Sequence, residues 1–282
     1  MNPQSATDVS KTSTCQEEKK KTVYFTHYSD GYTGITIAPN IRDDKSAHQS
    51  QSSSAALPRS DEERFNDLVY KRRKRIKDLG LSNRFELFGI LTWRTKKMRF
   101  NVTAQDKQVR QFFSKLRRKY PDIRYIAVRH KNPEGTGYHV HILIGELPRR
   151  CIRIRKGVFD SKGRQTYCLL GWSRNGWSSV EYIENPEYVV NYISKYSRLS
   201  LLPQGARSLV TYSKNLERPG HEREDLSDKE IARMKRRTHR DKIYEADFFV
   251  GNDAEYRQQM HYELVRGNHT APEAKHRGGG SV

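Results

Sequence analysis

The stretch from residue 124 to residue 145, RYIAVRH-KNPEGTG-YHVHILIG, constrains the fold more than any other part of the chain. Two runs rich in β-branched and aliphatic residues flank a segment containing Asn132, Pro133, Gly135 and Gly137, a pattern that predicts an antiparallel hairpin. With the turn centred on Glu134-Gly135, His130 falls opposite His139. Residues i and i+2 of a strand share a face, so His139 and His141 should project from one side while Val140 and Ile142 enter the core. A slip of one residue would bring Arg129 or Lys131 to the facing position, and neither can ligate a metal.

The neighbouring segments extend this hairpin into a sheet. Residues 84–94, RFELFGILTWR, read as a buried strand, and 177–184, WSSVEYIE, as another. Thr103, with Asp106 three residues on, is the expected cap of a helix whose Val109, Phe112, Phe113 and Leu116 share one face before Tyr120-Pro121 ends it. An earlier helix opens at Ser60 with the capping-box pattern S-D-E-E, carries Phe65, Leu68, Val69, Ile76 and Leu79 as its apolar stripe, and stops near Gly80. Ile152, Ile154 and Val158 suit either a strand or a loop, residues 163–172 suit a short helix, and Asn185-Pro186 opens a helix through YVVNYISKYSR. This order predicts an α+β fold, a central antiparallel sheet with helices packed on one face.

The ends read differently. Residues 1–59 are expected to be a mostly disordered extension, with one short hairpin where Val23, Phe25, Ile35 and Ile37 flank the Asp30-Gly31 turn. Residues 60–219 form the expected main domain. Residues 220–266 form a C-terminal extension with a capped basic helix at Ser227 and a strand-like IYEADFFV, and 267–282 a disordered tail. A mean hydropathy of −0.93 and the lack of any long apolar run argue against a membrane span. The first residues have no apolar core of the secretory-signal kind, and Cys15, Cys151 and Cys168 are too scattered for a disulfide framework or a structural zinc site, so a cytoplasmic protein is expected. Lys and Arg number 53 against 33 Asp and Glu, a balance of +20, which implies a polyanionic partner. Two basic clusters, at 71–77 and 115–120, are either solvated helix faces or, with Trp93, Tyr120, Trp172 and Trp177, a track for stacked bases.

Two patterns carry chemistry. Two imidazoles on one face of a strand can hold one divalent ion, with His130 as candidate third ligand, although ordinary sheet histidines give the same spacing. In EYVVNYISKY, Tyr188, Tyr192 and Tyr196 fall at i, i+4 and i+8 on one helical stripe, with Lys195 beside it. A tyrosine hydroxyl, of ordinary pKa about 10, becomes a nucleophile when its oxyanion is stabilised, as beside a polarised phosphate and an ammonium group.

Three stretches, FGILTWR, GYHVHILIG and YVVNYISK, stand in the order seen in the HUH endonucleases, and this part of the chain resembles the rolling-circle replication initiators of small phages and plasmids. TYSKNLERP is similar to the segment that follows the tyrosine helix in that branch, so the likeness covers about residues 82–219. It implies a ferredoxin-like HUH palm and nicking of single-stranded origin DNA by a tyrosine, which stays joined to the 5′ end and frees a 3′ hydroxyl. Carried onto this chain, it makes His139 and His141 ligands of Mg²⁺ or Mn²⁺, with His130 where the family often has a carboxylate. Tyr188 and Tyr192 become the nucleophile candidates and Lys195 a charge-stabilising group; Tyr192 has a lysine three residues on, where Tyr188 has Asn191. Tyr196 is read as structural. The partners implied are origin DNA and a host helicase and polymerase, in a bacterial cytoplasm, with no membrane. The alternatives are a relaxase or transposase of the same superfamily and a non-catalytic basic nucleic-acid-binding protein.

Overall fold

The computed structural model describes residues 20–29, 31–38, 61–132, 134–196, 210–250, 258–267 and 269. The expected disordered stretches at 1–19 and 39–60, the Ser60 cap, and the tail from 270 onward lie outside the described residues. In chain order the elements are β1 (Lys20–Tyr28), β2 (Tyr32–Ala38), α1 (Asp61–Leu81), β3 (Leu87–Leu91), α2 (Lys96–Phe100), α3 (Val102–Lys119), β4 (Arg124–Lys131), β5 (Tyr138–Gly145), β6 (Ile152–Phe159), β7 (Gln165–Leu169), β8 (Ser178–Tyr182), α4 (Pro186–Tyr196), β9 (Val210–Tyr212), β10 (Gly220–Ser227), α5 (Asp228–Thr238), β11 (Lys242–Val250) and β12 (Gln258–Arg266).

The strands form two antiparallel sheets, a seven-stranded one ordered β6-β7-β8-β3-β5-β4-β9 and a five-stranded one ordered β10-β1-β2-β12-β11. The α+β antiparallel architecture is the one expected. The helices, however, lie on both faces of the larger sheet. Val109, Phe112 and Phe113 of α3 cover the face carrying Tyr125, Ala127, Val140, Ile142 and Ile144. On the opposite face, Ile76, Leu79 and Leu81 of α1 and Val190 and Ile193 of α4 cover Ile126, Val128 and Leu143. The reason is visible in the strands: β4 and β5 bury consecutive residues rather than alternate ones, so neither face of the central pair can be left to water.

The helix layer of α1 and α4 is shared. Tyr28, Tyr32 and Leu264 of the smaller sheet pack into the same core from the other side. Gly80 makes this layer thin, since a Cβ there would stand 2.6 Å from Cγ2 of Val190, so only glycine lets α1 and α4 approach this closely. The outer face of the smaller sheet rests on Ile231 and Met234 of α5, through Val23, Phe25, Ile35 and Val265. The hairpin expected at Val23–Ile37 is present, with Gly31 in the left-handed region at φ 79°. It belongs to a sheet completed by three strands from the other end of the chain.

Several local expectations are corrected. Asn101, not Thr103, caps α3, its side chain accepting from the Ala104 N–H at 3.0 Å; a separate short helix, α2, precedes it. Residues 163–172 form β7 and one 3₁₀ turn rather than a helix, because Gln165 ties this segment to the Arg155 and Val158 carbonyls of β6. Trp93 and Trp172 are fully buried and packed edge to face at 5.8 Å, which removes both from any surface track, whereas Trp177 is exposed. The Ser227 cap is as expected, a complete capping box with Glu230.

Candidate functional site

The β4–β5 hairpin has the register that the turn implied: His130 pairs with His139, and Val128 with His141. Arg129 therefore points to the other face, where its guanidinium is buried against Gln105 (3.1 Å) and Asp106 of α3. Three imidazoles converge on the face beneath α4. Ring centroids lie 4.3 Å apart for His130 and His141, 4.7 Å for His139 and His141, and 5.7 Å for His130 and His139. One nitrogen from each lies within 4.8 Å of the others.

The surroundings select which nitrogens point inward. Nδ1 of His139 donates to the Asn132 carbonyl oxygen, and the Asn132 amide is held by Thr136 at 2.8 Å. This leaves the Nε2 lone pair of His139 aimed at the space it shares with His141, whose Nε2 is 2.9 Å away. His130 donates to the backbone carbonyl of Ile193 in α4, which ties the imidazole cluster to the tyrosine helix. Burial holds all three rings neutral: it pushes His130 down to about 3, with His139 adding to the effect, and lowers His139 and His141 as well. Neutral imidazoles with converging lone pairs are the state a metal ligand must be in. Two Nε2 atoms 2.9 Å apart also match two ligands bound side by side at about 2.1 Å from one ion. Nδ1 of His141 is buried without a hydrogen-bond partner, so the hydrogen-bonding capacity of this ring is directed through Nε2. The residues present therefore fit a divalent ion.

Helix α4 begins where Asn185 accepts from the Tyr188 N–H at 2.7 Å, and Glu187 in its first turn is buried, accepting from Tyr32 Oη (2.9 Å) and Arg266 (2.8 Å) of the smaller sheet. So anchored, the helix lays the Tyr192 ring edge-on to His141 at 5.6 Å and to Phe88 at 6.0 Å, while Phe88 stacks flat on His141 at 5.5 Å. Tyr188, one turn earlier, is 69% exposed. Both tyrosines line a cavity of about 310 Å³ with Phe88, Glu181 and Arg164. Lys195 is exposed in the last turn, and its carbonyl accepts from Arg73 at 3.0 Å.

The structure thus brings His130, His139, His141 and Tyr192 together, keeps Tyr188 at the mouth of the adjoining cavity, and leaves Lys195 at the surface. The Tyr196 side chain lies outside the described residues. Sequence reasoning missed Phe88, Asn132 and Glu187. Asn132 looked like a turn residue and Glu187 like a helix-dipole acid, and only the fold shows that each has a second partner.

Residues 86–198 match the sequence profile of a family described as replication-associated protein, the ORF2 type. The match supports a role in replication. It spans β3 to α4 and so contains every residue of the imidazole and tyrosine cluster, while α1 and the whole smaller sheet fall outside it. Neither a curated protein nor a solved structure matches the chain. Among the described residues no helix is long and apolar enough to cross a membrane.

Proposed function

We propose that the protein is a replication initiator of the HUH, rolling-circle type that nicks single-stranded origin DNA with a tyrosine nucleophile. The observation that carries this reading is the Tyr192 ring lying on His141 at 5.6 Å, at the edge of three converging neutral imidazoles. His139 and His141 hold a divalent ion with His130 as third ligand. Bound there, the ion polarises a non-bridging oxygen of the scissile phosphate and stabilises the charge that develops on it. An all-imidazole donor set favours a first-row transition ion over Mg²⁺, so Mn²⁺ fits better than Mg²⁺.

Tyr192 Oη loses its proton and attacks the phosphorus, forming the phosphotyrosyl bond as the bond from phosphorus to the 3′ oxygen breaks. The 5′ end stays on the protein, and the leaving oxygen takes a proton to become the 3′ hydroxyl that primes synthesis. Lys195, three residues after Tyr192, offsets negative charge on the phosphate. Tyr188, exposed and one turn away on the same cavity, is placed for a second transfer that rejoins the displaced strand. The DNA partner accounts for the chain's excess of 20 positive charges, and helicase and polymerase come from the host.

Incubation with labelled single-stranded origin DNA and Mn²⁺, followed by denaturing electrophoresis, tests the proposal. Wild type is expected to give a covalent adduct that Tyr192→Phe does not; no adduct from wild type would remove the enzymatic reading and leave the non-catalytic binding protein.

A further inference from the structure

The residues outside the profile match build a feature of their own. Two cavities, of about 430 and 420 Å³, flank α1 and share Lys74, Asp78 and His221, so they form one continuous groove. One lobe runs between α1 and the segment after β9, where Lys71, Arg75, Lys214 and Arg218 surround Tyr212. The other runs between α1 and the inner face of the smaller sheet, where Arg73 and Lys77 meet Tyr24, Tyr70, Tyr244 and Tyr262. Every lining residue of both lobes lies outside residues 86–198.

Charge and aromatic surface alternate along this groove. The lining carries seven Lys and Arg against one carboxylate, Asp78, and that carboxylate is already occupied by Lys74 at 2.8 Å. Tyr24, Tyr70 and Tyr244 are 40%, 48% and 41% exposed, high for tyrosines on the face of a sheet turned toward a helix. Cations sit over the rings: Arg75 over Tyr212 at 5.4 Å, Lys77 over Tyr244 at 4.9 Å, and Arg223 over Tyr24 at 5.9 Å. Each pair sets a ring face beside a positive charge, the combination that stacks a base and holds its phosphate. A duplex hides its base faces and would use only the charge, whereas an unpaired strand uses both.

We infer that this groove is a second nucleic-acid site, which binds single-stranded DNA without sequence preference, by phosphate contacts from α1 and the segment after β9 and by stacking on Tyr24 and Tyr244. It is separate from the imidazole cluster and needs neither a metal nor the nicking reaction. The basic run at 71–77 thereby acquires a defined role, as the wall common to both lobes.

The test is fluorescence anisotropy of the full chain carrying Tyr192→Phe, with labelled oligothymidylate in EDTA, so that neither adduct formation nor metal contributes. Replacing Lys71, Lys214 and Arg218, all exposed, by alanine should lower the slope of log K against log salt by about 2, at roughly 0.7 per phosphate contact on a single strand. Tyr24→Ala with Tyr244→Ala should weaken binding about tenfold or more, the scale of one or two lost base stacks. Tyr24→Phe with Tyr244→Phe should restore it, and binding to duplex of equal length should be indifferent to both tyrosine pairs. An unchanged salt slope in the charge variant, or wild-type oligothymidylate affinity in the alanine pair, overturns the inference. Failure of wild type to nick DNA would leave these binding results untouched.

Discussion

The two sheets treat polar side chains in opposite ways. On the seven-stranded sheet the functional groups are few and largely withdrawn from water: His130 and His141 are buried, His139 is held by Asn132, and Tyr192 packs against both His141 and Phe88. On the five-stranded sheet and α1 they are many and mostly solvated, a row of Lys and Arg interleaved with exposed tyrosines. Reactive groups need a fixed protonation state and orientation, which burial supplies. Groups that hold a flexible polyanion need long-range charge, which burial would destroy. One layer of helices, α1 and α4, serves both: its α4 side carries the tyrosines and its α1 side the cations.

Four outcomes would break or sharpen this contrast, the largest first. His139→Ala and His141→Ala should each reduce nicking to background while leaving salt-sensitive DNA binding in place, because phosphate contacts by Lys and Arg do not need the ion; titrating each variant with DNA and with Mn²⁺ checks both halves. Asn132→Ala removes the group that orients His139 and should cost about 10–100-fold in Mn²⁺ affinity, measured by calorimetry, with oligothymidylate binding unchanged. If it weakens DNA binding instead, the two regions are not separate.

Glu187→Ala cuts the contact between α4 and the smaller sheet and removes the carboxylate that accepts from the buried Tyr32 hydroxyl. It should cost about 2 kcal/mol and lower the melting temperature by several degrees, with loss of nicking in step. The smallest effect is on pH dependence. His130 in the folded, metal-free protein is pushed down to about 3, against 6.5 for an ordinary histidine, so between those values the unfolded chain binds the extra proton. Stability should therefore fall as pH drops through 6.5, by about 1 kcal/mol over the first unit, and level off below about 3. Denaturant melts of wild type and His130→Gln at pH 7 and pH 5.5 read this directly, the variant showing the shallower decline.

Much of the site could be read before the fold was known, because it rests on local periodicity. The two-residue repeat of a strand put His139 and His141 on one face, the hairpin turn put His130 opposite them, and the helical repeat aligned Tyr188 with Tyr192. What could not be read depends on which faces meet. Nothing local says that Phe88 will pack on both His141 and Tyr192, or that Glu187 will reach a strand some 150 residues earlier in the chain. The buried pair Arg129 and Asp106 likewise looked like two ordinary surface charges. The second sheet was the larger omission. Its hairpin was legible from Val23, Phe25, Ile35 and Ile37, but its partners come from residues 220–266, and long-range strand pairing leaves no mark at either end alone. The placement of helices on both faces was hinted at by the unbroken apolar runs IAV and ILI, which a one-sided sheet would not need.

Everything in this account turns on Tyr192 being the atom source for a covalent bond to DNA. Digesting the protein after reaction with single-stranded origin DNA and Mn²⁺, and locating the phosphotyrosyl peptide by mass spectrometry, tests that most directly. The adduct is expected on the α4 peptide at Tyr192, and in Tyr192→Phe protein it should vanish or move one turn to Tyr188. An adduct on a tyrosine of the five-stranded sheet, or none from wild type, would contradict it.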